Sequence, residues 1–405
     1  MLKIKRSSII VVDHPSQLLL ACNLSTFLSN EYGYRSKLLI FKHEYWKYFH
    51  IGKYKKFFSK IYWFDRCWYP PPHMNIFKQL VSSILLLPQL FYIKIKLISI
   101  GVKKRDIIFG LSNCTFLEDL VISTFRDSKK IAMMFSLDYN FWLNRPNSDK
   151  FGTNLSIEIT QLIRHLFGLP KTLFLYNKKV SKLGDGDYYF GYDDKINKIF
   201  DALLLIYDGH KITNKNLQDK NVYTATFPHL INMNFSESTK KKIIFLGSDF
   251  LIGNNADQKV FIYEINQYLD YLRRLYSNKY ILVYKPHPRE TLESTLLNLK
   301  GFVKINDKRP AEIFFIENKK NIKSVFSVVS TAILSSYSIG IDGYLFLNLF
   351  PFDEVRSSIY NKLFSNLPRS CFIDNLEAPP KPVIKKNGSN IPSFSESLHK
   401  LLKNI

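Results

Sequence analysis

Residues 8–28 read SIIVVDHPSQLLLACNLSTFL, and this stretch indicates how the chain folds. Ser8 to Val12 is a run of mostly β-branched residues, which is typical of a buried parallel strand. His14 to Gln17 then interrupts the run with polar residues and a proline. Leu18 to Leu28 has the length and the apolar spacing of a helix. A strand, a loop and a helix in this order predict the first unit of a doubly wound α/β sheet.

The same alternation of short apolar strands and helices recurs in two series along the chain. The first series continues with predicted strands at residues 37–41, 106–111, 130–135 and 202–207. The second series has predicted strands at residues 242–246, 279–284, 324–329 and 344–349, with helices at 260–275, 311–317 and 332–338. Two such series predict an α/β protein made of two Rossmann-like domains that face each other.

A polar, irregular stretch at residues 213–237 separates the two series and predicts a domain boundary. We therefore expect an N-terminal domain over residues 1–235, a C-terminal domain over residues 236–375, and a final loop and closing helix over residues 376–405. Ligands of such sheets bind beyond the carboxyl ends of the strands. The residues that follow each strand are consequently the first candidates for function.

The composition excludes some classes of protein and favours others. The chain has 405 residues, of which 46% are hydrophobic, and this excludes a globally disordered protein. Its formal net charge is +23, from 57 lysines and arginines against 34 acidic residues. Such an excess attracts polyanions, which include nucleic acids, anionic lipid headgroups and anionic substrates. A biased base composition of the gene would raise the lysine content as well.

The cysteines and the longest apolar stretch indicate the cellular compartment of the protein. The four cysteines form no C-x-x-C pair, so reduced thiols in a cytoplasmic protein are expected. The most apolar stretch, residues 80–93, is shorter than the roughly 20 residues that a spanning helix needs, and Pro88 interrupts it. We therefore predict neither a signal peptide nor a membrane-spanning helix.

Basic residues alternate with aromatic ones over residues 45–64, which read YWKYFHIGKYKKFFSKIYWF, and basic residues recur over residues 94–105. This pattern favours peripheral attachment to an anionic membrane surface, here the inner face of a bacterial cytoplasmic membrane. A groove for single-stranded nucleic acid would look similar, although no nucleic-acid-binding motif accompanies it. Ordinary amphipathic helices with solvated lysines are a third interpretation.

The sharpest functional motif is Tyr284-Lys285-Pro286-His287-Pro288-Arg289, directly after a predicted buried strand. A proline on each side of His287 restricts the backbone and holds the imidazole at the strand end. Lys285 and Arg289 make the surroundings electropositive, which suits a phosphate that leaves with negative charge. The alternative is a structural histidine in a rigid turn.

Two other strand ends carry polar residues. Ser330-Thr331 opens a predicted helix, where hydroxyl and backbone N–H groups can bind an anion or simply cap the helix. Asp208-Gly209 ends the predicted strand at residues 202–207, where a carboxylate is well placed as a general base and a glycine lets the chain turn. An ordinary Asp-Gly turn would look the same.

These features occur together, in the same order, in bacterial sialyltransferases. A lysine-preceded His-Pro, a later Ser/Thr pair and an earlier acidic residue before glycine make the chain similar to the lipooligosaccharide sialyltransferase and polysialyltransferase groups. Two further stretches that resemble them are Pro15-Ser16-Gln17 and residues 243–250, IIFLGSDF. Those enzymes usually have two acidic residues before the glycine, and Tyr207 occupies the first of those positions here.

The resemblance implies a GT-B glycosyltransferase that transfers a CMP-activated nonulosonic acid, sialic acid or a relative, onto a cell-surface glycan such as capsule, O-antigen or lipooligosaccharide. It implies inversion, no metal and no other cofactor, with the acceptor on the N-terminal domain and the CMP-sugar on the C-terminal one. Asp208 would deprotonate the acceptor hydroxyl, and His287 would protonate or stabilise the leaving phosphate. The residues implied to bind the donor or its phosphate are Lys285, Pro288, Gly247, Ser248, Ser330 and Thr331.

Other residues are candidates for the acceptor side or for a metal. The acceptor-side candidates are His14, Ser16, Gln17, Gly209 and His210, and His14 is the second choice for the base. Asp185 and Asp187 spell the D-x-D of metal-dependent glycosyltransferases, but the surrounding GDGDYYFGYDD is typical of a solvated loop. We therefore expect no metal site.

Two alternative functions stay open on the sequence. The His-Pro motif also fits Kdo transferases and teichoic-acid-type polyol-phosphate transferases. A basic nucleic-acid-binding protein is the alternative of another class, and it predicts binding to DNA or RNA that weakens steeply with salt. For the preferred function the expected partners are a CMP-sugar donor, a glycan or glycolipid acceptor and an anionic membrane surface, with no nucleic acid.

Overall fold

The structure is a computed structural model that describes residues 6–12, 15–42, 46–47, 49–65, 76–111, 120–121, 124–125, 127–134, 201–206, 221–225, 240–248, 258–287, 290, 296–364, 367–383 and 392–405. The chain divides into two compact units. The first comprises Met1–Phe135, Tyr139–Ile231 and Ile391–Ile405, and the second comprises Ser136–Asp138 and Asn232–Asn390. The predicted boundary near residue 235 lies outside the described residues.

The first unit contains a seven-stranded sheet in which every pair of neighbours is parallel. Its strands are β1 (Ser7–Val12), β2 (Arg35–Lys42), β3 (Lys60–Asp65), β4 (Ile107–Leu111), β5 (Lys129–Met134), β6 (Ala202–Ile206) and β7 (Val222–Ala225). They lie in the order β3-β2-β1-β4-β5-β6-β7. The order runs outward from β1 in both directions, which is the arrangement of a doubly wound sheet.

Two helices of the first unit differ in how far the sequence predicts them. Helix α1 (Leu18–Tyr32) begins after a 3-10 turn at Pro15–Gln17 and ends at Gly33, whose φ of 65° lets its N–H reach the last carbonyls. Helix α2 (Ile76–Ser99) continues through Pro88, so the apolar stretch that we treated as interrupted forms part of one long helix. None of the described helices has the length and apolar character needed to cross a bilayer.

The second unit contains a five-stranded parallel sheet. Its strands are β8 (Lys242–Leu246), β9 (Ile281–Lys285), β10 (Phe302–Lys304), β11 (Ile322–Ser327) and β12 (Asp342–Leu345), in the order β10-β9-β8-β11-β12. The helices are α3 (Gln258–Tyr276), α4 (Ala311–Asn318), α5 (Ala332–Ser338) and α6 (Glu354–Leu363). This order again runs outward from the first strand, so each unit contains its own Rossmann-like sheet.

Stacked aromatic rings form the core of the second unit. Tyr268 of α3 stacks on Phe346 with ring centroids 4.3 Å apart, and Phe245 of β8 stacks on Tyr284 of β9 at 6.1 Å. All four side chains are buried. Rings of this size remove large apolar areas from water, and this fixes the strands on which the candidate site depends.

The last helix, α7 (Phe394–Asn404), packs on the first unit although it follows the second in sequence. Ser393 and Glu396 form a capping box at its start. His399 Nδ1 lies 2.7 Å from the Tyr32 hydroxyl, and the ring of Phe394 contacts that of Phe27. The sequence predicted a closing helix but not the unit that it closes.

Several bounds differ from the prediction for local reasons. Strand β11 begins at Ile322 and ends at Ser327, two residues earlier at each end than predicted. Strands β7 and β10, with 4 and 3 residues, are too short to show a period in the sequence. In β3 the basic and aromatic residues obscured the strand pattern. The α/β fold class itself is confirmed.

Candidate functional site

The candidate site lies where the strand order of the second sheet reverses. Strands β8 and β11 are neighbours, and the chain leaves them toward opposite sides of the sheet. A crevice at such a switch point is the usual ligand site of an open parallel sheet. Ser248, just beyond β8, donates a hydrogen bond from its hydroxyl to the Val329 carbonyl beyond β11 at 3.5 Å. The two strand ends are therefore tied together across the switch point.

The end of β9 lies on the other side of β8 and presents His287. The Gly247 N–H donates to the Lys285 carbonyl at 2.9 Å, which joins the segment after β8 to the end of β9. Pro286 and His287 follow, and His287 is half-buried. Three adjacent strands thus bring together Gly247-Ser248, His287 and Ser330-Thr331, which the sequence proposed from separate motifs. Parallel strands place all of these residues at one edge of the sheet.

Gly247 allows the backbone to approach that edge closely. A methyl group at this position would overlap Glu290 Oε2 and would come within 2.8 Å of the Tyr284 hydroxyl and 2.9 Å of the His287 backbone nitrogen. No larger residue fits unless those groups move. The glycine therefore sets the distance between the segment after β8 and the turn that contains His287.

Glu290 organises the histidine turn. Its carboxylate accepts hydrogen bonds from the Tyr284 hydroxyl at 2.9 Å and from the His287 N–H at 3.1 Å, while its own N–H donates to the His287 carbonyl at 2.9 Å. Burial raises the pKa of Glu290, and the hydrogen bonds from Tyr284 and His287 oppose part of that rise. Burial likewise raises the pKa of Tyr284, so its hydroxyl stays a donor.

This role of Glu290 was not predicted from the sequence, in which it directly follows Arg289 of the motif. The signal was present in the spacing, since Tyr284 and Glu290 stand three residues on either side of His287. A tyrosine and a carboxylate at those positions can pair only if the chain between them turns back on itself. The prolines in the motif favour such a turn.

Lys285 lies in a different environment from the one expected of a phosphate ligand. It is 2% exposed, and its ammonium donates to the carbonyls of Asp307 at 2.7 Å and Arg309 at 2.8 Å. Burial lowers the pKa of Lys285 to about 8, against the opposing effect of Asp307. The ammonium therefore anchors the loop before α4 to the end of β9, which corrects the prediction that it faces the donor phosphate.

An ion-pair network holds the loop that Lys285 anchors. The Arg309 guanidinium donates to both carboxylate oxygens of Asp307 and also pairs with Glu317 of α4 at 2.9 Å. Burial acts to raise the pKa of Asp307, but the hydrogen bonds and charge of Arg309 outweigh it and lower the pKa. Bidentate pairing of this kind fixes geometry as well as charge. These contacts hold the loop before α4 against the end of β9, the strand that precedes His287.

Ser330 and Thr331 stand at the start of α5 and are half-buried. The Ser330 hydroxyl accepts from the Ala332 N–H at 3.3 Å, and its carbonyl accepts from the Ile333 N–H at 3.0 Å, so Ser330 caps the helix. The Thr331 side chain makes no capping hydrogen bond. Of the two interpretations of the Ser330-Thr331 pair, the structure shows capping for Ser330.

Several predicted site residues lie outside the described residues: Asp208, Gly209, His210, His14, Pro288, Asp185 and Asp187. On the first sheet, the backbone of Ser16 belongs to the 3-10 turn between β1 and α1. Gln17 in the same turn is 4% exposed, which disfavours direct contact with an acceptor. Within the described ranges, no group of three or more His, Cys, Asp or Glu could hold a metal ion.

Comparison with known proteins finds one matching family model. The model of the alpha-2,8-polysialyltransferase family matches residues 154–341, a little under half of the chain. The chain is a sialyltransferase-like glycosyltransferase. The matched segment contains Lys285, His287, Ser330 and Thr331 and also Asp208. The resemblance drawn from the short motifs, and the prediction of a glycosyltransferase, are therefore confirmed.

Solved structures resemble this glycosyltransferase in fold. The alpha/beta-galactoside alpha-2,3-sialyltransferase of Photobacterium phosphoreum matches with a TM-score of 0.53 and 12% identity, over 91% of this chain and 98% of that one. The GT-B domain of a sialyltransferase from Photobacterium damselae matches with a TM-score of 0.43 and 13% identity, over 81% and 88%.

A 2,6-sialyltransferase from Photobacterium sp. JT-ISH-224, solved in a ternary complex with the donor product CMP and lactose, matches with a TM-score of 0.41 and 11% identity, over 81% and 69%. A comparison with curated protein sequences finds no match. The GT-B type predicted from the motifs is confirmed for the fold.

Proposed function

We propose that this glycosyltransferase transfers a CMP-activated nonulosonic acid, sialic acid or a relative, onto a hydroxyl of a cell-surface glycan such as capsule, O-antigen or lipooligosaccharide. The observation that supports this most is the convergence of His287, Gly247-Ser248 and Ser330-Thr331 at three neighbouring strand ends. All of them lie within the segment that resembles alpha-2,8-polysialyltransferases.

In the proposed reaction the acceptor oxygen forms a bond to the anomeric carbon of the donor, and the bond from that carbon to the phosphate oxygen of CMP breaks. The acceptor proton passes to a base, for which Asp208 is the first choice and His14 the second. Attack from the face opposite to the leaving group inverts the anomeric configuration. CMP leaves with the bonding electron pair, so the site must stabilise developing negative charge on its phosphate.

His287 is the group proposed to stabilise the negative charge on the leaving phosphate. The hydrogen bond from the His287 N–H to Glu290 and the close approach that Gly247 allows hold the backbone of His287 near the strand end. A positioned imidazole can donate a hydrogen bond or a proton to the leaving phosphate. Such preorganisation lowers the barrier because no group has to reorient while the bond breaks.

Thr331 and the backbone around α5 are proposed to bind the phosphate oxygens. The Thr331 hydroxyl makes no capping bond, and Ser248 lies beside the same crevice through its bond to the Val329 carbonyl. Ser330 contributes through the cap that orients the helix start. Lys285 is proposed to support the site from behind, by fixing the loop before α4, and not to contact phosphate.

We further propose that transfer needs no metal, because a histidine and a hydroxyl-lined strand end can together stabilise a leaving monophosphate. The acceptor is proposed to be carried at an anionic membrane surface, which the +23 net charge favours. A cytoplasmic enzyme attached to the inner face of the membrane would meet both the CMP-sugar and a lipid-linked acceptor there.

The deciding experiment is calorimetric binding of CMP, CDP, UDP and GDP to the full chain, with and without EDTA. We expect CMP to bind selectively, and EDTA to leave its affinity unchanged. Preference for UDP or GDP would overturn the donor class, and loss of CMP binding in EDTA would overturn metal independence. Transfer assays with a panel of CMP-sugars that includes CMP-Kdo then distinguish a nonulosonic acid transferase from a Kdo transferase.

A matched pair of variants tests the phosphate contacts in the same calorimeter. Thr331→Val should weaken CMP binding by about 10-fold, the effect of losing one hydrogen bond to a charged group. Ser335→Ala, one turn further along α5 and also half-buried, should leave CMP affinity unchanged. Equal affinities in the two variants would contradict the assignment of Thr331.

A further inference from the structure

Helix α2 is apolar on two faces, and the residues that the structure describes cover only one of them. Leu90, Ile93 and Leu97 are at most 2% exposed and face the first sheet. The Lys96 ammonium donates to the Trp63 carbonyl of β3 at 2.7 Å and lies over the Phe64 ring, while Lys37 of β2 donates to the Ile100 carbonyl at 2.9 Å. These contacts fix how α2 is rotated on the unit.

The second apolar face points to solvent. We call it the outer face of α2 and define it by six residues: Val81, Leu85, Phe91, Tyr92, Ile95 and Ile98. They are between 41% and 73% exposed. Because Val81, Leu85, Tyr92 and Ile95 recur at helical spacing, they form one stripe, which extends with Ile98 over about 25 Å at 1.5 Å per residue. A contiguous apolar stripe of this length on a folded protein marks an interaction surface.

The charges around the outer face identify its partner. No aspartate or glutamate occurs between Asp65 and Asp106, while that interval contains seven lysines and arginines. Lys103, Lys104 and Arg105, just beyond the helix, are exposed. An apolar stripe on a helix whose charged neighbours in sequence are all cationic is complementary to a bilayer whose headgroups are anionic. A second copy of this chain would instead bring two cationic borders together, which repel each other.

We infer that the outer face of α2 docks this glycosyltransferase onto an anionic lipid bilayer, with the helix lying in the plane of the interface. The apolar side chains enter the boundary between headgroups and acyl chains, and Phe91 and Tyr92 have the aromatic character favoured at that depth. The cations beyond α2 bind the headgroups. This inference rests on the proposed function only in that a membrane-borne acceptor gives the docking its purpose.

Flotation of the full chain with lipid vesicles tests the inference without donor or acceptor, so its failure cannot be confused with failure of the proposed transfer reaction. We expect binding to phosphatidylcholine vesicles that contain about a third phosphatidylglycerol, and weaker binding in high salt, as expected of a surface-charge contribution. The variant Leu85→Ser/Phe91→Ser/Ile95→Ser should bind at least about 10-fold more weakly, since three apolar side chains no longer leave water.

The matched control is Val260→Ser/Tyr263→Ser, which removes exposed apolar side chains of comparable exposure, 51% and 61%, from α3 of the second unit. We expect it to bind vesicles as the unaltered chain does. Equal binding by the α2 variant, or no binding of the unaltered chain to anionic vesicles, would overturn the inference. The inference would also be overturned if sedimentation showed that the unaltered chain is a dimer and the α2 variant a monomer, because the outer face would then be a protein interface.

Discussion

Folded proteins usually bury apolar side chains and expose polar ones, and two regions of this chain differ from that rule. The carboxyl edge of the second sheet buries polar groups, whereas the outer face of α2 exposes apolar ones. At the sheet edge, polar groups such as Lys285 and Glu290 are withdrawn from water and paired with named partners. On α2, apolar side chains such as Leu85, at 73% exposed, are left in water without a described cover. Both arrangements are unfavourable by themselves, the first through desolvation and the second through exposed apolar area.

The difference lies in where the compensation comes from. The buried polar groups are compensated inside the chain, by the hydrogen bonds that join Tyr284, His287 and Glu290. The exposed apolar face has no such compensation among the residues that the structure describes, so a partner outside the chain is the proposed source. Buried polar networks thus point to a preorganised site, and exposed apolar stripes point to a surface that acts after docking.

The largest effect expected at the sheet edge is on catalysis. His287→Ala should lower turnover by about 10²- to 10⁴-fold, the usual range for loss of a positioned acid, with little change in thermal stability because the side chain is half-buried. His50→Ala, which removes an exposed imidazole from the first unit, is the control and should keep full turnover. Initial rates with a CMP-sugar donor measure both. Full activity of His287→Ala would remove the basis for the site.

The two faces of α2 should respond differently to the same substitution. Leu90→Ala should lower the free energy of unfolding by about 2–5 kcal/mol, because Leu90 is fully buried against the unit. Leu85→Ala, five residues earlier on the outer face, should change it by at most about 0.5 kcal/mol. Urea unfolding followed by circular dichroism measures the pair. A large effect of Leu85→Ala would mean that the chain itself covers the outer face.

Gly247→Ala tests how tightly the sheet edge is built. The added methyl would meet Glu290 Oε2 and the His287 backbone nitrogen, so we expect a loss of about 1–3 kcal/mol in stability together with lower activity. Gly52→Ala is the matched control, since nothing lies within 4 Å of the added atom. If both variants unfold at the same urea concentration as the unaltered chain, the close approach at Gly247 is not structural.

The smallest expected effect is a pH dependence from Lys285. Burial lowers the pKa of Lys285 from 10.5 to about 8, so between these values the unfolded chain binds more protons than the folded one. The unfavourable effect of the buried charge is therefore present in full below pH 8 and is relieved as the pH rises. Relative to Lys285→Met, the unaltered chain should gain about 1 kcal/mol in stability between pH 7 and pH 9. A difference that stays constant over this range would show that the ammonium is not desolvated.

Much of the fold could be predicted because both sheets are parallel and buried, so their strands are short apolar runs bounded by turn residues. Strand β8 was predicted to the residue, and α1 and α3 were recognised from their spacing. Strand β3 was missed, since its lysine, tyrosine and tryptophan are typical of a surface segment. Pairing with β2 and the contact with α2 stabilise β3 as a strand, and neither element is adjacent to it in sequence.

The sequence by itself determined the parallel α/β class, the position of His287 after a buried strand, and the strongly basic character of the chain, because each depends on local pattern or composition. Only the tertiary structure decided that Lys285 bonds the carbonyls of the loop before α4, that Glu290 holds the histidine turn, and that one apolar face of α2 lacks a cover among the described residues. Those outcomes depend on which groups meet across strands and helices, and on the burial that follows, which local spacing does not specify.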